Sequence, residues 1–164
     1  MVNRKVILVF GANGNLGRHF VGKALAANYK VKAFVRNSAS FDLTTEENLE
    51  VVEGDATLYK DVEKAVTGAD LILSCLGNPK GKEIMYNAHS NVLNAARKQQ
   101  QIPRCLFISS IGCGGTSWII KQMLSLIGGK ASFADYERAD QLIDQETEVP
   151  FLLVRPYALT DKKE

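Results

Sequence analysis

Three glycines, Gly11, Gly14 and Gly17, punctuate the run Gly11-Ala12-Asn13-Gly14-Asn15-Leu16-Gly17, directly after the apolar stretch 6–10 and directly before a helical pattern. A strand that turns tightly into a helix through glycines is a phosphate-binding arrangement, because the first helical N–H groups lack acceptors and point at the ligand. Gly11 permits the tight turn, Gly14 lets backbone approach a pyrophosphate without a Cβ in the way, and Gly17 lets the helix pack closely on the strand. Asn13, Asn15 and Leu16 complete the predicted cradle. Arg36 ends the second apolar run, nineteen residues beyond Gly17. An acid at that place accepts from a ribose 2′-OH, whereas a guanidinium attracts a 2′-phosphate through paired donors. No Asp or Glu occurs between Lys23 and Phe41, and Arg18 stands at the helix start as a second cation. The expected cofactor is therefore NADP(H) in preference to NAD(H).

These residues need elements to position them. Strand-length apolar runs at 5–10, 30–36, 49–53, 70–76, 104–109 and 150–155 alternate with helix-period segments at 15–27, 58–67, 82–100, 117–127 and 131–145. The runs are rich in Val, Ile, Leu and Phe without polar alternation, as strands buried on both faces are. Ile84, Ala88, Val92, Ala95 and Ala96 recur at helical intervals along one face of 82–100. Strand–helix–strand succession predicts right-handed crossovers and an α/β fold: a doubly wound, Rossmann-type parallel sheet of six strands in the order 3-2-1-4-5-6. The stretch 37–47 is the one crossover where a regular helix is not expected. A chain of 164 residues with 46% hydrophobic and 23% charged side chains suits a single domain, 1–164, and excludes disorder, collagen and coiled coil. A net charge of +2 gives no reason to expect a nucleic-acid partner. Cys75, Cys105 and Cys113 form no CxxC pair, so no metal site is expected. Neither a signal peptide nor a membrane-length apolar run is present, which leads to the expectation of a cytoplasmic protein without stable membrane insertion.

The glycine spacing is GxxGxxG, a departure from the simple GxGxxG fingerprint, and further motifs accompany it. Val35-Arg36-Asn37 is similar to the "VR" that ends the second strand of NADP-binding proteins, and Gly54-Asp55 to the "GD" after the third. The stretch 69–77 resembles "GxDxVIxxxG", and Asn91-Val92-Leu93-Asn94-Ala95-Ala96 matches "NxxxAA". Ile108-Ser109-Ser110 and Val154-Arg155-Pro156 resemble the closing motifs of the fifth and sixth strands. Together they resemble the atypical branch of the short-chain dehydrogenase/reductase superfamily, which includes biliverdin-IXβ/flavin reductase and the NmrA-like sensors. The resemblance implies that Asp55, with Ala56 beside it, caps the adenine pocket. The carboxyl ends of the fourth and fifth strands, near Leu76, Gly77, Ser109 and Ser110, are where a nicotinamide is expected.

The main superfamily adds a Tyr-x-x-x-Lys pair, in which Lys lowers the Tyr pKa for proton exchange with the substrate oxygen. No tyrosine here has Lys four residues on, and Asp140 stands in that place after Tyr136. An acid there is expected to raise the Tyr136 pKa, so Ser110 and Tyr136 remain the candidates for touching an acceptor. The small-molecule acceptor is expected to be planar and conjugated, such as a flavin or quinone, which can take its proton from solvent; the alternative is a non-catalytic, nucleotide-binding redox sensor acting through a protein partner. Eight residues follow Pro156, so the substrate-binding region is expected to be abbreviated. The segment 118–127, with Trp118, Ile119, Ile120, Leu124 and Ile127, is apolar almost all round and is the expected surface of a homodimer. His19 and His89 are read as surface or packing residues, Cys75 and Cys105 as inert strand cysteines, and Cys113 as a loop thiol beside the nicotinamide end.

Overall fold

The computed structural model describes residues 4–42, 47–78 and 83–156, without the side chains of Ile120, Leu124, Ser125 and Ile127. In chain order it contains β1 (Val6–Phe10), α1 (Asn15–Ala26), β2 (Lys30–Val35), β3 (Leu49–Glu53), α2 (Tyr59–Val66), β4 (Leu71–Ser74), α3 (Ile84–Arg97), β5 (Arg104–Ile108), α4 (Trp118–Gly128), α5 (Lys130–Asp144) and β6 (Phe151–Val154). The strands form one sheet in the order β3-β2-β1-β4-β5-β6, and each pair is parallel. The doubly wound, Rossmann-type sheet expected from the alternation of runs is the fold.

Every predicted element is present, with ends one to three residues inside the predicted limits where they differ, except that the fourth helix ends and the fifth begins one residue outside them. The strand expected at 70–76 is the shortest fit, Leu71–Ser74. Asp70 falls just outside it; its carboxylate accepts from the Val6 N–H at 2.7 Å and its own N–H donates to the Val6 carbonyl at 2.9 Å, which ties the start of β4 to the start of β1. The helix expected at 82–100 begins at Ile84; Lys82 lies outside the described residues. The stretch 37–47 is irregular as expected, with a 3₁₀ turn at Ser38–Ser40; residues 43–46 lie outside the described residues.

The sheet separates two apolar layers. On one face Leu8, Phe10, Ile72 and Phe107 pack under α2, α3 and α5; on the other Ile7, Val9, Val31 and Leu73 pack with α1. The first layer encloses His89, which is 1% exposed. Its Nε2 pairs with the Ser74 hydroxyl at 2.8 Å and its ring meets the Phe107 ring edge-on at 4.8 Å. Its Nδ1 is buried without a hydrogen-bond partner. Burial pushes the imidazole pKa down to about 3, so the ring is neutral in the folded protein. His89 is thus a packing residue. No helix among the described residues is long and apolar enough to cross a membrane.

A neutral buried His links stability to pH. The unfolded chain binds a proton at His89 below about 6.5 while the folded chain does not, so this contribution is complete above that pH and is lost as pH falls toward 3. Between pH 6.5 and 5 the loss is about 2 kcal/mol. Urea unfolding at pH 7 and pH 5 should therefore show a steeper fall for the wild type than for His89→Gln; equal falls would assign the linkage to other groups.

Candidate functional site

The turn between β1 and α1 is as crowded as its glycines predict. Gly11 has φ +72°, and a Cβ on it would stand 2.7 Å from the Cys75 carbonyl oxygen. A Cβ on Gly17 would fall on the Gly11 carbonyl. β1, the start of α1 and the end of β4 therefore meet at backbone distance. Gly14, the N-cap residue of α1, supplies no side-chain cap, and the first turn holds no acid. The N–H groups of Asn15, Leu16 and Gly17 have no intrahelical acceptor, as in any α-helix start, and the helix dipole adds partial positive charge there. An anion fits this end of the helix without competition.

A cleft of about 770 Å³ opens beside it. Gly11, Asn13 and Gly14 form its middle, Arg36, Asp55 and Ala56 one end, and Leu76 and Gly77 the other. Asn15, Leu16 and Gly17 belong to the adjoining helix start. Arg36 is exposed at the end of β2 and forms none of the ion pairs found among the described residues. Asp55 is exposed and accepts from the Thr57 N–H and hydroxyl through Oδ1, both at 2.8 Å. The Asn91 amide holds the next residue by donating to the Ala56 carbonyl at 3.0 Å. Arg18, expected to assist with phosphate, is instead committed to Asn13 and to Asp42. Sequence reasoning missed Thr57, Glu83, Ile84 and Asn87, which also line the cleft. Asn87 is one turn before the "NxxxAA" Asn91 on α3, a spacing that could have found it.

The far end of the cleft is organised by α5. Asp135, 3% exposed, accepts from the Asn78 amide at 2.5 Å and from the Met85 and Tyr86 N–H groups at 2.8 and 3.1 Å. It thus caps α3 from another helix, since Glu83 at the N-cap offers no side-chain bond. Ser132 donates to the Asn78 carbonyl, and the Tyr136 hydroxyl accepts from the Asn78 N–H at 3.3 Å. A Cβ on Gly77 would lie 3.5 Å from that hydroxyl, which places Tyr136 beside the Leu76–Gly77 end.

Two expectations change here. The Tyr136 pKa is raised, but burial is the main cause and the neighbouring carboxylate is Asp135. Asp140 faces elsewhere: it accepts from the Ser109 hydroxyl at 2.5 Å and from Arg155 Nε at 2.7 Å. Ser109 is accordingly 8% exposed with its hydroxyl engaged, and it does not line the cleft. Ser110 is half-buried, its carbonyl accepting from the Cys113 N–H at 3.5 Å. Cys113 is buried rather than open in its loop, and burial pushes its thiol up to about 11. Cys75 is half-buried against the cleft, beyond the end of β4, with its thiol likewise pushed up to about 11 by burial. Cys105 is buried in β5, its thiol pushed up to about 12. Burial thus keeps all three as thiols rather than thiolates at neutral pH.

A family model described as NAD(P)H-binding matches residues 11–164. The photosystem II assembly factor Ycf39 of Cyanophora paradoxa is 30% identical over 107 residues, 63% of this chain and 33% of that protein, so the chain spans about a third of that relative's length. Among solved structures, ChuY, an anaerobilin reductase from Escherichia coli O157:H7, superposes with a TM-score of 0.78 at 26% identity, covering 93% of this chain and 72% of that one. A short-chain dehydrogenase/reductase from Veillonella parvula, in complex with NADP, shares the fold at TM-score 0.73 and 16% identity, covering 92% and 68%.

The cap supplied by Asp135 is open to test. Asp135→Ala strips the acceptor from two backbone N–H groups and one amide, and should cost about 3 kcal/mol in urea unfolding. Asp135→Asn keeps a carbonyl acceptor and should cost about half of that. Losses below about 0.5 kcal/mol for both variants would mean that the α3 start is satisfied another way.

Proposed function

The chain belongs to the NAD(P)H-binding family, and from that premise we propose that it is an atypical short-chain dehydrogenase/reductase, an NADP(H)-dependent reductase of a planar, conjugated acceptor such as a flavin or quinone. The observation that carries this reading is the single cleft joining Arg36, the glycine turn at the α1 start and the Leu76–Gly77 end. In it, Arg36 would hold the 2′-phosphate, the N–H groups of Asn15, Leu16 and Gly17 the pyrophosphate, and Asp55 and Ala56 the adenine. The bound nicotinamide supplies the hydride. Leu76, Gly77 and Tyr136 would then shape the acceptor's position at the far end. The relative named as an anaerobilin reductase supports a reductase role, and the neighbour holding NADP supports the cofactor class. Burial raises the Tyr136 pKa, which makes its phenol a weaker proton donor, and the Ser109 hydroxyl is committed to Asp140. Such a site suits acceptors that take their proton from water.

We also propose that a second copy of the chain covers α4. Trp118, Ile119, Met123 and Leu126 are 72%, 55%, 60% and 70% exposed, and Lys121 on the same helix is already paired with Glu137. A two-fold axis would set this apolar surface against its own copy and bring no unpaired charge from its described residues into the interface. The expected roles of Ile120, Leu124 and Ile127 in this surface lie outside the described side chains. Sedimentation should show a wild-type dimer and a Met123→Glu monomer; a wild type that is monomeric at high concentration overturns the assembly.

For the main reading, NADPH consumption is measured against a panel of flavins and quinones. Turnover supports the reductase; tight NADPH binding with no turnover on the panel returns the sensor. Arg36→Ala should weaken NADPH binding by about 1.5–3 kcal/mol, the range for hydrogen bonds to charged groups, and leave NADH nearly unchanged. Equal weakening of both cofactors, or of neither, removes Arg36 as the selector.

A further inference from the structure

Arg36 is the first residue beyond β2, and residues 37–42 continue the backbone that carries it. Two separate sets of bonds hold that segment. From the phosphate turn, Arg18 Nη1 donates to both oxygens of Asp42 at 2.6 and 2.9 Å. Its Nη2 and Nε donate to the Asn13 side-chain carbonyl at 2.5 and 3.1 Å. The Asn13 amide donates in turn to the Ser40 hydroxyl at 3.0 Å, and that hydroxyl to the Asn37 carbonyl at 2.8 Å. From β3, Glu53 accepts from the Ser38 N–H at 2.9 Å and hydroxyl at 2.5 Å. The first set runs unbroken from the glycine turn to the residue beside Arg36.

We propose that the Arg18–Asp42 clasp is a cofactor-selectivity device: it holds the segment after Arg36 against the phosphate turn and thereby positions Arg36 for a 2′-phosphate. The inference rests on the reading of Arg36 as the 2′-phosphate contact. Asp42 acts here as a positioning residue, because it faces Arg18 and does not line the cleft. It also keeps Arg18 off the ligand, so that Arg36 alone distinguishes the two cofactors. The clasp contributes little to holding the fold. Its side chains are 37% and 69% exposed, where ion pairs add little stability, whereas Phe41 next to it is 3% exposed in the α1-side core and anchors the loop. Loss of the clasp therefore leaves a folded protein with a loosened Arg36 seat.

The test uses two probes that share adenosine and a 5′-phosphate: adenosine 2′,5′-bisphosphate and 5′-AMP, titrated calorimetrically into the wild type, Asp42→Asn, Asp42→Glu and Arg18→Gln. The wild type should prefer the bisphosphate. Asp42→Asn should lose about tenfold of that preference, within the range for residues coupled in one hydrogen-bond network, with 5′-AMP affinity and melting temperature unchanged. Asp42→Glu should restore part of it, and Arg18→Gln, which also releases Asn13, should lose at least as much of the preference, with Asp42→Asn adding nothing to it in the double variant. A wild-type preference that survives Asp42→Asn, or grows, overturns the clasp and leaves the NADP(H) reading standing, as does a parallel loss of 5′-AMP binding. A wild type without preference overturns the NADP(H) reading and the clasp with it.

Discussion

Everything in the nucleotide half depends on one steric constraint, the contact of three backbone segments at the carboxyl end of β1. Gly11 must take a positive φ with the Cys75 carbonyl close enough to exclude a Cβ, and Gly17 must press against the Gly11 carbonyl. Either glycine replaced by a larger residue pushes α1 away from the sheet. With α1 seated, its start adjoins the cleft through Gly14, and β4 ends where Leu76 and Gly77 line the same cleft. The glycines thus build the seat by letting protein backbone approach protein backbone. Access for a ligand is the consequence.

The opposite half depends on a different device, buried carboxylates carried by one helix. Asp135 and Asp140 are five residues apart on α5, and both are nearly inaccessible. Asp135 is satisfied by neutral donors, the Met85 and Tyr86 N–H groups and the Asn78 amide. Asp140 is satisfied by a cation, Arg155, and by the Ser109 hydroxyl. Burying a carboxylate is tolerable only with such partners, so α5 is locked at once to the α3 start and to the carboxyl ends of β5 and β6. The wall beside the expected nicotinamide is held by this helix rather than by the strands it covers.

This division explains which features were legible in the residues alone. Strand order, the glycine turn and the place of Arg36 at the end of β2 were legible because each rests on local rules: apolar runs buried on both faces, a turn needing glycine, and the residue that follows an apolar run. The role of Asp140 was not legible. Its four-residue spacing from Tyr136 suggested a helical neighbour, but Arg155, fifteen residues on, competes for the carboxylate and wins through charge. The Asp135 cap was invisible for the same reason, since its three partners lie about fifty residues earlier in the chain. Arg18 looked like a phosphate ligand from its place at the helix start, and only the loop conformation shows Asp42 taking it. Pairings made by tertiary structure leave no periodic signal in the sequence.

The sheet itself records how differently its two sides are finished. At one level across the α1 face, Val9, Leu73, Leu106 and Leu152 are register partners in β1, β4, β5 and β6. Val9 is 0% exposed and Leu73 3%, Leu106 is half-buried, and Leu152 reaches 59%. Cover by α1 therefore fades strand by strand toward β6. The two sheet edges differ in the same sense. β3 presents Glu50 and Glu53 to solvent, charges of the kind that keep an edge from pairing. β6 reads Phe151, Leu152, Leu153 and Val154, without a charge. The nucleotide side is closed by glycine contacts, ion pairs and a charged edge. Among the described residues the β6 side keeps apolar surface open on α4 and β6, and α5 is what frames it. On the proposed reading, cofactor choice would rest on the short contacts around Arg36, and acceptor choice on a wall fixed at one end by Asp135.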